Sequence, residues 1–248
     1  MSETRTFIRT GGWFGILSGV AILVSSLTTA LTASIARPDD PSEVAEFLAQ
    51  VDSNVYSFHV YGWLGLIGLV LAVPFTYGLF LLVRKALNEA WLGAVFMWAG
   101  LIVLFPAYVL AMVTATSLSP LFDDLGESAA DSIYVVFKSF GGIATLLFLL
   151  GSLLTFSIAP GLLSVAWLRT GMSPRWIGWL GVFAGITGLA WVGMLSDDPG
   201  LLPLIWAINA FANIIWIIAA GVSMARFPTS QPRPRVRHDP IGAPNATG

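Results

Sequence analysis

The sequence predicts an all-α protein, a polytopic membrane bundle of six transmembrane helices, and three observations carry that prediction. Of the 248 residues, 56% are hydrophobic and only 10% charged, with a mean hydropathy of +0.80, whereas a soluble domain carries about 25% charged residues. The apolar residues gather into long uncharged stretches of the length that crosses a bilayer, about 20 residues. Finally, the charges separate by sign from loop to loop. Arg5, Arg9, Arg84, Lys85, Arg169, Arg175, Arg226, Arg233, Arg235 and Arg237 fall on one side, ten of the twelve bases. Asp39, Asp40, Glu43, Glu46, Asp52, Asp123, Asp124, Glu127, Asp131, Asp197 and Asp198 fall on the other, eleven of the fourteen acids. That is the positive-inside pattern at every loop. It predicts both termini in the cytoplasm and outward turns at 37–56, 119–131 and 196–200.

Residues 1–226 form the expected membrane domain. The first span, about 13–36, follows Arg5 and Arg9 as a signal peptide would, and Ser34-Ile35-Ala36 resembles a cleavage site. Its apolar run exceeds the 7 to 15 residues of a signal core, so it is expected to stay as a helix. An acidic segment follows, in which Pro41-Ser42-Glu43 precedes the periodic VAEFLAQV and predicts a short amphipathic helix at the surface. The second span, about 57–83, contains Pro74, and the third, about 91–118, contains Pro106. Kinks are expected there because proline removes a helix hydrogen bond. The fourth span, 133–168, would be about 55 Å of helix against a hydrocarbon core of about 30 Å. It must project, tilt or break; Lys138 marks the projecting part, and Gly141-Gly142 and Pro160 mark the bends. The fifth span covers 175–195 and the sixth 201–225. After Arg226 the composition turns abruptly to proline, arginine and polar residues, so 227–248 reads as a disordered cytoplasmic tail.

Within this layout GWFGILSG (12–19) echoes GWLGVFAG (178–185), each preceded by an arginine, and Trp91-Leu92-Gly93 is a weaker third copy. One reading is three consecutive helical hairpins. The other is that tryptophan belongs to any interfacial belt and glycine to any packed membrane helix. Either way Gly12, Gly15 and Gly19, and Gly178, Gly181, Gly185 and Gly188, present bare helix faces for close packing. These faces would also suit a membrane-protein partner or a second copy of the chain.

The residues that catalysis uses are scarce. There is no cysteine, and the only histidines are His59 and His238, which argues against bis-histidine haem, histidine-box iron and a metal centre. No Asp or Glu lies in a span, so a carboxylate proton relay has nothing to run on. No folded basic surface suggests nucleic acid. Two constellations remain. Trp206, Asn209, Asn213 and Trp216 form one stripe on the sixth helix, either as glue to hydroxyls such as Thr145, Ser152 or Thr155, or as the lining of a small-molecule cavity. Tyr56, His59, Tyr61 and Lys138 gather near the acidic turns, either as an interfacial belt or as a binding mouth. Arg226, Arg233, Arg235 and Arg237 stand beside the sixth helix, where they enforce topology or touch anionic lipid headgroups.

The stretch MSPRWIGWLGVFAGITGL (172–189), the early GWFGILSGVAILV and the six-helix layout resemble a family of small bacterial and archaeal multi-pass membrane proteins classified only as a domain of unknown function. The resemblance covers about residues 8–226. It implies a fold and a place in the prokaryotic plasma membrane, and it brings no catalytic residue and no cofactor. The residues themselves suggest a non-enzymatic accessory or small-molecule-binding component in the lipid bilayer. The rivals are a facilitator for an uncharged solute and a membrane enzyme with an outer-face site around His59.

Overall fold

The computed structural model describes residues 2–32, 40–125, 130–193 and 200–227, and among these every regular element is helical. In chain order they are α1 (Ser2–Thr32), a 3₁₀ turn (Pro41–Glu43), α2 (Val44–Ser53), α3 (Val55–Val83), α4 (Leu87–Leu125), α5 (Ala130–Leu153), a π-helical turn (Leu154–Ile158), α6 (Ala159–Arg169), α7 (Arg175–Thr187), α8 (Ala190–Gly193) and α9 (Leu202–Ala225). Six helical stretches are long and apolar enough to cross a membrane. They are α1, α3, α4, the run from α5 through α6, the pair α7 and α8, and α9. This is a multi-pass membrane protein.

The spans pack in chain order as a ring. α1 lies on α3, α3 on α4, α4 on α5 and α6, α6 on α7, and α7 on α9; α9 returns to α1 and closes the ring. Each successive hairpin therefore pairs internally. The three Trp-x-Gly copies share one environment: Trp13, Trp91 and Trp179 are exposed outward, at 59%, 52% and 64%. The glycine two residues on lies under a side chain of the returning helix, Gly15 under Phe75, Gly93 under Leu163 and Gly181 under Trp216. The core is built from Phe75, Leu79, Met97, Leu104, Leu163, Trp167 and Trp216, all essentially buried. Phe75 meets Trp216 edge to face at 6.0 Å.

Several boundaries differ from the sequence reading. α1 begins at Ser2, not near Trp13, since nothing in the first residues breaks a helix and Gly11 and Gly12 are packed against neighbouring backbone. α4 continues to Leu125, and its membrane-length portion is Leu87–Leu110. Pro74 and Pro106 lie inside continuous helices. The fourth span runs straight through Gly141-Gly142, and its irregularity is the π turn directly ahead of Pro160. The fifth span, expected whole, is broken at Gly188-Leu189.

The amphipathic segment forms as expected, but it docks on protein. Asp40 caps the 3₁₀ turn by accepting the Ser42 N–H at 2.8 Å, and the Ser42 hydroxyl and N–H hold its carboxyl below the ordinary carboxylate value. Val44, Phe47, Leu48 and Val51 then bury against Ile133 and Phe137 of α5, while Glu46 and Asp52 face outward. The predicted cleavage-like Ser34-Ile35-Ala36, the turn at Asp197-Asp198 and the tail from 228, with Arg233, Arg235 and Arg237, lie outside the described residues.

Candidate functional site

Pro160 creates the most distinctive feature of the bundle. Proline has no N–H, so the carbonyl four residues earlier, that of Phe156, loses its helical donor. The ladder widens into the π turn at Leu154–Ile158, with the Ala159 N–H bonding to the Leu154 carbonyl, and a membrane interior offers no water to the freed group. The sixth span answers it. Asn213 Nδ2 donates to the Phe156 carbonyl at 2.8 Å, and Asn209 Nδ2 donates to it at 3.2 Å.

The same asparagine serves the break in the fifth span. Asn209 Nδ2 also donates to the Ala184 carbonyl at 2.6 Å and to Thr187 Oγ1 at 3.3 Å, both in the last turn of α7. Its Oδ1 accepts from Trp191 Nε1 of α8 at 3.1 Å. Ser157, inside the π turn, donates to the Gly185 carbonyl at 2.7 Å. Two interrupted helices thus face each other, and the side chains of Ser157, Asn209 and Asn213 take up their carbonyls. Asn209 and Asn213 are 0% and 1% exposed, which at these positions demands such pairing.

The hydroxyls named from sequence play no part in this. Thr145 bonds to the Gly141 carbonyl of its own helix at 2.8 Å. Ser152 Oγ and Thr155 Oγ1 are buried without a protein partner, as are Asn213 Oδ1 and Trp206 Nε1. Thr155 instead lies over the bare backbone of Gly100 on α4. The stripe on α9 also divides. Trp216 belongs to the core with Phe75, whereas Trp206 stacks edge to face on Trp191 at 5.2 Å. From Trp191 the aromatic contacts continue through Phe148 and Tyr108 to Tyr61, with centroids 5.2 to 5.9 Å apart.

The packing glycines lie at the helix crossings. A Cβ on Gly12 would fall 2.4 Å from the Ala225 nitrogen and one on Gly185 2.8 Å from the Gly161 Cα. Gly19 underlies Ile218, Gly178 underlies Leu168, and Gly188 rests on Ser157. These surfaces take part in packing within the chain.

The residues at the acidic end have separate surroundings. His59 is exposed near the start of α3, and Tyr61 packs on Tyr108 at 5.2 Å while its carbonyl accepts from Ser25. Lys138 lies 5.4 Å above the Tyr134 ring. It stands 31 residues from Arg169, which is about 46 Å of helix and beyond a hydrocarbon core of about 30 Å. Among the described residues no three His, Asp or Glu side chains are grouped as a metal site would need. At the basic end Arg169 pairs with Glu89, Arg9 donates to the Ala225 carbonyl at 3.3 Å and so caps α9, and Arg226 is exposed.

The junction around Asn209 and Asn213 offers carboxamides, hydroxyls and indole N–H groups. It can hold or exchange hydrogen bonds with neutral partners. Among the known families, the model described as a domain of unknown function (DUF4386) matches residues 38–222, a stretch that begins after α1, later than the residue 8 expected from the resemblance. No curated protein and no solved structure matches the chain.

Proposed function

From the fact that the chain belongs to the DUF4386 family, and from its six spans built round a neutral polar junction, we propose that it is a non-enzymatic component of the cell membrane that binds a small uncharged molecule. The observation that supports this reading is the chemistry of the junction. Its buried polar side chains are Asn209, Asn213, Ser152, Ser157 and Thr155, together with the indole N–H groups of Trp191 and Trp206. None titrates near neutral pH. They suit hydrogen bonding to a neutral molecule better than moving a proton or activating a nucleophile.

The positive-inside distribution supports a reading with both termini in the cytoplasm. A phosphatase fused after Gly248 should be inactive; an active fusion overturns this orientation. For ligand binding, the full chain purified in its own lipid should release the same neutral molecule in repeated preparations, and Asn213→Ala should release less. Turnover of a substrate that vanishes in His59→Ala would replace this reading with an enzyme at the acidic end.

A second reading, a facilitator for an uncharged solute, is favoured by the facing interruptions of the fourth and fifth spans, because discontinuous helices recur at transporter binding sites. Solute flux in proteoliposomes distinguishes the two.

A further inference from the structure

The break in the fifth span is built as a joint. The α7 ladder ends where the Gly188 N–H meets the Ala184 carbonyl at 2.9 Å. The amides of Leu189, Trp191 and Val192 then reach back only three residues, to Ile186, Gly188 and Leu189. Such tighter turns within a helix mark hinges. Gly188 has no side chain at this point, and a Cβ there would fall 2.5 Å from Ser157 Cβ, so the joint bears directly on the π turn of the fourth span.

Beyond the joint, α8 is held by the Trp191 side chain and by the close approach of Gly193 to Leu202 of α9. Leu189 and Val192 are 58% and 56% exposed, whereas Trp191 is 4% exposed. The Trp191 ring is held edge to face by Phe148 at 5.6 Å and by Trp206 at 5.2 Å. Its Nε1 donates to Asn209 Oδ1 at 3.1 Å. The other end of that carboxamide is tied to α7, at Ala184 and Thr187, on the near side of the break. One side chain therefore holds both halves of an interrupted helix, with Nδ2 on α7 and Oδ1 on α8.

We propose that Gly188-Leu189 is a hinge for α8 and that the hydrogen bond from Trp191 Nε1 to Asn209 Oδ1 is its latch. Release swings α8 off α9 and uncovers the carboxamides of Asn209 and Asn213, while α7 stays packed on α6 through Gly181 and Gly185. The device stands on this geometry alone, whatever molecule the junction binds.

The chain has no cysteine, so paired spin labels can be placed without background. Val192 on α8 and Val70 on α3 are 56% and 58% exposed and take one pair; Phe183 on α7, 48% exposed, forms a control pair with Val70. Distances are measured in lipid nanodiscs for the native chain, Trp191→Phe, Asn209→Leu and Thr187→Val. Trp191→Phe keeps an aromatic ring and removes the N–H together with part of the indole, whereas Asn209→Leu leaves the indole whole and removes its acceptor. Losing one hydrogen bond between membrane helices should raise the ratio of released to latched molecules about threefold to twentyfold. That change should appear in the pair 192 and 70, in Trp191→Phe and Asn209→Leu, and not in the pair 183 and 70. Thr187→Val, which removes a bond on the α7 side, should leave α8 latched. If Asn209→Leu does not fold, Trp191→Phe decides alone. An unchanged distribution in Trp191→Phe, equal movement of both pairs, or release in Thr187→Val as large as in Trp191→Phe overturns the latch.

Discussion

Asn209 and Asn213 are the same residue type, one turn apart and equally buried, yet their replacement by leucine should have very different costs. Hydrogen bonds between membrane helices contribute about 0.6 kcal/mol on average and at most about 1.7. Outside its own helix Asn209 accepts from Trp191 and shares its two Nδ2 protons among Phe156, Ala184 and Thr187, the equivalent of three such bonds, which puts the direct loss in Asn209→Leu at about 1.8 kcal/mol. Trp191 Nε1 is then left buried without an acceptor, a further penalty of about 1 to 3 kcal/mol. Asn213 makes one bond to another helix, to Phe156 at 2.8 Å; its other goes to the Asn209 carbonyl of its own helix. Its Oδ1 is buried without a protein partner, so leucine also removes an unsatisfied group. Asn213→Leu should therefore cost about 0.6 kcal/mol or less. Reversible unfolding in mixed micelles, titrated with a denaturing detergent, measures both. A cost for Asn213→Leu equal to or above that of Asn209→Leu would refute the assignment of Asn209 as the pin between the broken spans.

Other substitutions probe the packing and the two ends. Gly12→Leu sets a side chain against the backbone of Gly221, Met224 and Ala225, atoms that cannot yield, and should destabilise by at least about 1 to 3 kcal/mol. Gly141→Leu, with nothing within 4 Å, should be neutral in the same unfolding assay. Phe47→Ala removes the ring that packs 4.8 Å from Phe137, and core truncations of this kind cost about 3 to 5 kcal/mol. Since α2 is peripheral, the loss should appear as faster hydrogen exchange over Val44–Ser53, with the spans unchanged. A peptide of residues 226–248 should bind anionic vesicles weakly, by about 1 kcal/mol per arginine close to the surface, and lose that binding as salt rises. Equal binding to neutral vesicles would remove lipid contact as the role of these arginines.

The architecture was legible because it rests on quantities that sequence states directly. Span length and loop charge locate the six helices, and the tryptophans and glycines of the three Trp-x-Gly copies have the outward and inward places that interfacial and packing residues need. The interruptions were less legible. Pro160 announced a bend, but the partner of its freed carbonyl sits about fifty residues away on α9, and short-range pattern cannot show that pairing. The two carboxamides were recognisable as needing partners; hydroxyls seemed natural, yet a carbonyl orphaned by proline is the stronger acceptor and took them. That signal was present in Pro160 together with Asn209 and Asn213. The break at Gly188 had only a glycine to mark it, and glycine is common in any membrane helix. At the acidic end, topology brought His59, Tyr61 and Lys138 to one side, but their positions along α3 and α5 give each its own neighbours.

The central claim is that the asparagines of the sixth span satisfy the carbonyl that Pro160 leaves open. The most direct measurement combines Asn209→Leu with Asn213→Leu and compares their joint cost in the native background with that in Pro160→Ala. Alanine restores a backbone N–H for the Phe156 carbonyl. The joint cost should therefore fall by about 1 to 3 kcal/mol, the penalty of a buried unsatisfied group. A joint cost that is the same in both backgrounds, within the roughly 0.5 kcal/mol expected of independent sites, would contradict the account.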